Sequence, residues 1–257
     1  MIETLFPAGV HTGLLTEAVD IALLYPEEAG CVRNAVAARR KEFAQGRLCA
    51  RRVLAELGIS DFPLLAGKDR APIWPAGIVG SLTHSGGTCA VAIARADRFA
   101  GLGIDVETAE PLGEELVELV CLESELAWLR ELPEASQGIL ARLLFSAKES
   151  VFKCFYPISG VFLEFHDCEI RIEMAESETA PHPTHSTRAP ADGAGKGLDG
   201  DRGLFTATLR NRALPEAWRE AEHPGRFARS PGRLFTGMAI PKNSLAGLPV
   251  RQVSSRF

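Results

Sequence analysis

Two carboxylates stand two residues apart in the otherwise apolar segment 103–107. Side chains alternate along a strand, so Asp105 and Glu107 would project to one face and Ile104 and Val106 to the other. Paired carboxylates are oxygen ligands of the kind that Mg²⁺ prefers. An edge strand with a solvated polar face has the same pattern, so the spacing alone leaves both interpretations open.

A further carboxylate and an amine lie in the segment 139–155, whose apolar spacing predicts an amphipathic helix. Glu149 and Lys153 are four residues apart and would be neighbours on that helix. Taken alone, the pair indicates a surface ion pair that contributes a few tenths of a kcal/mol. The spacing by itself therefore favours a structural role.

Positive charge is concentrated in the segment 31–57, which holds seven Lys or Arg residues against two Glu. Arg33, Arg40, Arg47 and Arg51 fall within about 40° of one another on a helical wheel. A solvated helix face normally mixes charges of both signs. The stripe is therefore either an unusual solvated face or a site for an anion such as phosphate.

Thr83 and His84 end the apolar run 78–85, directly before Gly86 and Gly87. β-Branched residues on both sides of a Gly-Gly pair predict a β-hairpin. A lone histidine at such a position is either a structural residue or a phosphate ligand. No G-x-S-x-G motif is present, which argues against a serine hydrolase of the nucleophile-elbow type.

The elements that must position these residues follow from periodicity. We expect helix over most of 16–58 with a break at Tyr25-Pro26, an acidic helical region at 112–133, and a helix at 139–155 that ends before Pro157. Strands are expected in 78–85, 88–94, 101–107, 204–210 and 233–240, and 161–174 is expected to form two strands or one bent hairpin. This order predicts an α+β fold with two similar halves.

The segment 176–203 is rich in Pro, Gly, Ser and Thr and has almost no large apolar side chain. Such a segment cannot bury enough surface to offset its ordering entropy, so we expect a mobile insertion. The chain then divides into an N-terminal subdomain, 1–102, and a C-terminal subdomain, 103–257, which carries the insertion.

Composition excludes several classes of protein. The chain has 257 residues, 46% hydrophobic and 24% charged, with a net charge of −5. This is a globular composition without the broad positive charge of a nucleic-acid or membrane-surface binder. Six scattered cysteines, no secretory leader and no membrane-spanning apolar run predict a cytoplasmic protein with reduced thiols.

Taken in chain order, these motifs resemble those of the 4′-phosphopantetheinyl transferases of the larger, monomeric class, which includes enterobactin-type, surfactin-type and actinobacterial enzymes. The family has a G-[IV]-D-x-E strand and, further along, [FW]-S-x-K-E-[SA]-x-x-K, which match 103–107 and 145–153. An S-x-[ST]-H-S element matches 81–85. The runs R-R-K-E-F-x-x-G-R and R-A-P-x-W-P match 39–47 and 70–75.

The resemblance implies a fold of two pseudo-twofold-related α/β subdomains with the active site in the cleft between them. It also implies a reaction, in which the phosphopantetheine arm of coenzyme A is transferred to a serine of an acyl- or peptidyl-carrier protein, releasing adenosine 3′,5′-bisphosphate. The expected partners are coenzyme A and apo-carrier proteins, with no nucleic acid and no membrane, and the expected state is a monomer.

By the same resemblance, Asp105, Glu107 and Glu149 would hold Mg²⁺, or Mn²⁺ in its place. Glu149 would be the general base, and Lys153 would stabilise the leaving bisphosphate. The residues implied for coenzyme A are Arg39, Arg47, Lys68, Arg70, Thr83, His84, Asp105 and Lys153. Some members carry a further polar residue where this chain has Val106, so a water would fill that coordination position.

Two other functions use the same features. A Mg²⁺-dependent phosphohydrolase or nuclease would employ the carboxylates without a carrier and without the basic element 39–47. A non-catalytic carrier-binding module would not need Asp105, Glu107, Glu149 and Lys153 together.

Overall fold

The computed structural model describes residues 1–67, 69–174 and 202–245. The strands are β1 (Val10–Leu15), β2 (Ile78–Ser85), β3 (Thr88–Arg95), β4 (Phe99–Thr108), β5 (Cys168–Met174), β6 (Arg202–Leu209), β7 (Glu222–Ser230) and β8 (Arg233–Pro241). The α-helices are α1 (Pro26–Cys31), α2 (Ala37–Glu56), α3 (Glu114–Val120), α4 (Glu123–Arg130), α5 (Glu134–Ser159) and α6 (Glu216–Glu220). None of the helices in these ranges is both long enough and apolar enough to span a bilayer.

The strands form two antiparallel sheets, and each sheet packs against one long helix. The first sheet has the order β1-β3-β2 and packs against α2, and the second has the order β4-β8-β7-β6-β5 and packs against α5. The expected α+β architecture of two halves is confirmed. The proposed division between residues 102 and 103 falls inside β4, which contacts both halves.

The predicted hairpin is present, with β2 and β3 paired from Ser85 and Thr88 outward. Gly86 and Gly87 have φ values of 53° and 77°, in the left-handed region that glycine adopts without strain. Side chains then alternate along β3. One face of β3 packs with α2 through Cys89, Val91 and Ile93. The other face packs with apolar residues of the second sheet through Ala90, Ala92 and Ala94.

Strand β4 lies between the first sheet and α5, and its two faces differ. Ile104 and Val106 are fully buried in the apolar layer between the two sheets. The other face begins with glycine: a Cβ on Gly103 would lie 1.9 Å from the backbone oxygen of Ser150 in α5. Glycine at this position therefore lets α5 approach β4 closely, beside the carboxylate of Asp105.

Three expectations for the second half were wrong in detail. Helix α5 does not end before Pro157 but continues to Ser159, because Ile158 is buried and Gly160 closes the helix at a φ of 70°. The segment 161–174 forms a 3₁₀ turn followed by the single strand β5, not two strands. Strand β6 begins at Arg202, inside the expected insertion, whose residues 176–201 lie outside the described ranges.

Strands β1 and β7 were not predicted. Pro224 and Gly225 interrupt the apolar pattern of β7, yet β7 pairs on both sides, with β6 and β8. A Cβ on Gly225 would lie 2.0 Å from the ring of Phe205, so the glycine makes room for a buried aromatic side chain. The first half also differs, since α1 and α2 are separate helices joined through 32–36.

Candidate active site

Asp105 is the centre of a polar cluster between the two halves. Its carboxylate is almost fully buried and accepts three hydrogen bonds. Thr83 Oγ1 on β2 donates to Oδ1 at 2.8 Å, and Lys153 Nζ on α5 donates to the same oxygen at 2.5 Å. Ser146 Oγ, also on α5, donates to Oδ2 at 2.8 Å. One carboxylate therefore joins the first sheet, the second sheet and the long helix.

Two further buried hydroxyl groups, of Ser150 and Thr236, are linked to Ser146 by hydrogen bonds. Ser150 Oγ lies 2.7 Å from Thr236 Oγ1, and Thr236 Oγ1 donates to the backbone oxygen of Ser146 at 2.9 Å. Thr236 is the residue of β8 that pairs directly with Asp105 of β4. All three hydroxyl residues are fully buried. The helix face that meets the carboxylate is thus fixed to the sheet.

Glu149 lies next to this cluster and is only partly buried. Its Oε2 is 3.8 Å from Lys153 Nζ, with 28% of its side chain exposed. Burial raises the pKa of Glu149 above its ordinary value, against the lowering effect of Lys153. A partly exposed carboxylate with a raised pKa has the properties of a group that exchanges a proton.

Glu107 follows Asp105 on the same face of β4 and pairs with a residue that the sequence did not single out. Arg142 Nη1 on α5 lies 3.2 Å from Glu107 Oε2. Burial raises the pKa of Glu107 to about 7, and the neighbouring charge of Asp105 adds to this effect while Arg142 opposes it. Glu149 also contributes to the raised pKa. The three predicted carboxylates therefore lie within electrostatic range of one another.

The donor set suits a hard divalent cation. Three carboxylates supply oxygen ligands of the type Mg²⁺ and Mn²⁺ take, and their mutual repulsion is relieved by a bound cation. In the described part of the chain, no three acidic, histidine or cysteine side chains converge on a ready-made metal centre. Two of the three carboxylates instead pair with cations, Asp105 with Lys153 and Glu107 with Arg142.

The raised pKa of Glu107 predicts a pH effect on the stability of the metal-free protein. A carboxyl whose pKa rises from 4.5 to about 7 on folding stabilises the folded state at low pH, and this contribution is lost as the pH rises through 7. Glu107→Gln should therefore raise the free energy of unfolding by about 1–3 kcal/mol at about pH 8 and change it little at about pH 4. Urea denaturation with a chelator checks this, and an equal change at both pH values would contradict it.

The basic residues form a second group along α2. Arg47 is buried, its Nε donates to the backbone oxygen of Leu64 at 2.7 Å, and its guanidinium lies 3.7 Å from the ring centre of Phe43. Burial lowers the pKa of Arg47 to about 10. Within the described ranges it has no carboxylate at ion-pair distance. A buried guanidinium in this state favours an anionic ligand.

His84 faces this basic group, whereas Thr83 faces Asp105, because neighbouring residues of β2 point to opposite faces. His84 Nε2 lies 2.7 Å from Gln45 Oε1. Gln45 Nε2 in turn donates to the backbone oxygens of Leu15, Glu17 and Gly87. Burial lowers the pKa of His84, partly offset by Glu42. The structure thus separates two residues that the sequence grouped together.

The other predicted residues for coenzyme A differ in position. Arg39 is exposed, pairs with Glu42 at 3.2 Å, and lies close enough to Arg47 and His84 to influence both electrostatically. Arg70 is exposed with a φ of 67°, and its side chain forms no hydrogen bond or ion pair with the group in the described residues. Lys68 lies outside the described residues.

A buried ion pair lies beneath Glu149. Lys148 Nζ donates to Glu125 Oε2 at 2.7 Å and to the backbone oxygens of Val120 and Phe165 at 2.8 and 3.0 Å. Glu125 also accepts from the backbone N–H of Ile170 at 2.8 Å. Lys148 and Glu149 border an apolar cavity of about 110 Å³ whose walls include Phe152, Phe162 and Phe165.

Residues of the site that had no role in the sequence-based prediction include Gln45, Arg142, Ser146 and Lys148. Ser146 and Lys148 lie inside the matched motif 145–153, so the motif itself could have identified them as site residues. Gln45 and Arg142 lie on predicted helices with no distinguishing spacing. Their partners are distant in sequence, and only the tertiary structure identifies them.

Comparisons with known proteins identify the family of the chain. A model of the 4′-phosphopantetheinyl transferase N-terminal domain matches residues 27–94, and a model of the 4′-phosphopantetheinyl transferase superfamily matches residues 101–192. The 4′-phosphopantetheinyl transferase Svp of Streptomyces mobaraensis is 42% identical over 214 residues, 80% of this chain and 85% of the relative.

Two further relatives carry the same description. The 4′-phosphopantetheinyl transferase Npt of Nocardia iowensis is 40% identical over 68% of this chain and 78% of its own. PptT of Mycobacterium tuberculosis is 37% identical over 58% of this chain and 65% of its own. The chain therefore belongs to the 4′-phosphopantetheinyl transferase superfamily, and to its larger class.

Proposed function

We propose that this enzyme transfers the 4′-phosphopantetheine arm of coenzyme A to a serine of an acyl- or peptidyl-carrier protein with the help of Mg²⁺. The serine oxygen forms a bond to the phosphorus that bears the pantetheine arm. The bond from that phosphorus to the bridging oxygen breaks, and adenosine 3′,5′-bisphosphate leaves. The observation that carries the proposal is the meeting of β2, β4 and α5 at Asp105, with Glu149 and Lys153 beside it.

Glu149 is the group best suited to take the proton from the carrier serine. It is the most exposed of the three carboxylates, with 28% of its side chain exposed against 16% for Glu107, and burial raises its pKa above the ordinary value. Asp105 is a poor candidate, because it is buried and already accepts three hydrogen bonds.

Lys153 is suited to stabilise the negative charge of the leaving bisphosphate. Its ammonium group donates to Asp105 and lies 3.2 Å from Thr83 Oγ1, with 23% of the side chain exposed. Fixed at one side by these partners, it can present its remaining N–H group to a phosphate oxygen.

Asp105, Glu107 and Glu149 are the residues that would hold a divalent cation. When bound, such a cation supplies positive charge to the diphosphate oxygens of coenzyme A. The three carboxylates lie within electrostatic range of one another at a partly buried position, although they do not converge on a ready-made centre in the described part of the chain. Mg²⁺ is proposed rather than a softer metal because all three ligands are carboxylates.

Arg47, Arg39 and His84 are proposed to bind the nucleotide end of coenzyme A, together with Lys68 and Arg70 from the following loop. Arg47 is the strongest candidate, since it is a buried cation without an ion-pair partner in the described ranges. The 3′-phosphate is the group of coenzyme A that offers the matching charge.

Arg47→Ala is expected to raise the KM for coenzyme A about tenfold or more and to change the KM for the carrier little. Steady-state kinetics are compared for coenzyme A and for dephospho-coenzyme A, which lacks the 3′-phosphate. This comparison distinguishes a lost phosphate contact from a general disturbance of packing. The increase in KM should disappear with dephospho-coenzyme A. The matched control is Arg52→Ala, an exposed arginine of the same helix. An equal penalty with both substrates would remove Arg47 from the phosphate site.

Carrier dependence tests the proposed reaction. Adenosine 3′,5′-bisphosphate release is measured with an apo-carrier, with the same carrier whose acceptor serine is replaced by alanine, and without a carrier. We expect release with the first alone. Release that needs no carrier would support the phosphohydrolase instead, and carrier binding without release would support the non-catalytic module.

We also propose a cytoplasmic monomer with the two subdomains 1–102 and 103–257. All six cysteines are free thiols, five of them buried in the apolar clusters, which suits a reducing compartment.

A further inference from the structure

Arg142 lies on α5, two turns before Glu149, and contacts Glu107 directly. Its Nη1 donates to Glu107 Oε2 at 3.2 Å. Its Nε donates to the backbone oxygen of Glu110 at 3.2 Å, and its Nη2 donates to that of Pro111 at 3.1 Å. One guanidinium therefore joins the end of β4, the loop that follows it and α5.

All three nitrogens of the Arg142 guanidinium donate to protein acceptors, whereas in Arg47 only Nε does so in the described ranges. A planar guanidinium that is held at three points cannot rotate towards a ligand without losing protein contacts. The side chains of Arg142 and Glu107 are only 17% and 16% exposed. Arg142 therefore serves to hold the side chain of Glu107 and the loop that follows β4 in place.

The contact engages only one oxygen of the Glu107 carboxylate. Oε2 accepts from Arg142, whereas Oε1 has no hydrogen-bond partner in the described ranges. A carboxylate fixed through one oxygen keeps the other available as a ligand. Metal-binding carboxylates are commonly oriented by a hydrogen-bond donor in this way.

We propose that Arg142 is a positioning residue that orients Glu107 for divalent-cation binding. The proposal rests on the proposed function, since it takes Glu107 as a metal ligand. The positive charge of Arg142 acts in the opposite direction by repelling a cation. Glu107 Oε2 neutralises much of that charge, so the orientation of the ligand is expected to decide the outcome. Loss of such an orienting partner lowers metal affinity about 10–100-fold.

Equilibrium binding of Mn²⁺, followed by electron paramagnetic resonance with coenzyme A present and no carrier, tests the proposal without turnover. Arg142→Gln is expected to weaken Mn²⁺ binding about 10–100-fold. Arg142→Lys keeps the positive charge but loses the simultaneous contacts of the guanidinium. Its affinity for Mn²⁺ should therefore lie between those of the wild type and Arg142→Gln. The control is Gln137→Ala, which removes a 2.9 Å hydrogen bond from the same helix to Leu132 without touching Glu107.

A folded Arg142→Gln protein that binds Mn²⁺ as tightly as the wild type, or more tightly, would overturn the proposal. If the glutamine variant does not fold, Arg142→Lys decides, and wild-type affinity in that variant has the same consequence. If Gln137→Ala weakened Mn²⁺ binding as much as Arg142→Gln does, the proposal would also be overturned. A general disturbance of α5 would then be enough to explain the loss of affinity. Failure of the wild type to modify any carrier would instead refute the proposed function.

Discussion

Glu149→Gln is expected to lower the rate of phosphopantetheine transfer about 10²–10⁴-fold, the usual effect of removing a general base. Glutamine keeps the size and polarity of the side chain, but it does not accept the proton of the carrier serine and it removes one negative charge from the proposed cation site. Because Glu149 is partly exposed and its nearest partner is Lys153 at 3.8 Å, the fold should tolerate the change. Single-turnover transfer to an apo-carrier under saturating substrates measures the effect.

The control for this prediction is Glu164→Gln, which makes the same chemical change at an exposed position on the rim of the adjoining cavity. We expect this variant to retain the wild-type rate. The pH profile adds a second criterion, because the rate of the wild type should fall as Glu149 becomes protonated, whereas that of Glu149→Gln should lose this dependence. A Glu149→Gln protein with the wild-type rate and pH profile would show that another group accepts the proton.

Lys148→Met is expected to destabilise the protein by about 3–5 kcal/mol, because it leaves the buried carboxylate of Glu125 without its counter-charge. Both side chains are 2% exposed. Lys148 also bonds to the backbone of Val120 and Phe165, so the substitution loosens several elements at once. Urea denaturation monitored by circular dichroism gives the change in the free energy of unfolding.

The double variant Lys148→Met/Glu125→Gln is the matched control, since it removes both charges. It should recover part of the loss, because no uncompensated charge remains buried, while the backbone N–H of Ile170 keeps an acceptor. If the double variant were less stable than Lys148→Met by the full effect of a second independent change, the two side chains would not act as a pair.

Much of the site follows from local sequence. The alternation in 103–107 predicts that Asp105 and Glu107 share one face of a strand, and both do contact groups on α5. The four-residue spacing predicts that Glu149 and Lys153 are neighbours. These positions depend on the repeat of a strand and of a helix, which are properties of the backbone alone.

The partners of those residues do not follow from local sequence. Thr236 becomes a neighbour of Asp105 only because β8 pairs with β4, across more than half of the chain. Strand β7, which completes the sheet next to β8, contains Pro224 and Gly225 and lacks the expected pattern. Tertiary packing around Phe205 overrides local preference there.

In the long helix α5, too, local sequence predicts the element but not its packing. Its apolar spacing predicts a helix, but its close approach to β4 depends on the absence of a side chain at Gly103. The role of Pro157 is also decided by packing, because burial of Ile158 continues the helix beyond the proline. A glycine or proline in isolation does not indicate which neighbour it accommodates.

The intact mass of an apo-carrier protein after incubation with coenzyme A and Mg²⁺ tests most directly whether the cluster around Asp105 and Glu149 catalyses phosphopantetheine transfer. With the wild-type enzyme, the carrier is predicted to gain the mass of one phosphopantetheine arm on its acceptor serine, with an equal amount of adenosine 3′,5′-bisphosphate released. With Glu149→Gln over the same time, the carrier mass should not change. A panel of carriers left unmodified by the wild type, or full modification by Glu149→Gln at the wild-type rate, would contradict it.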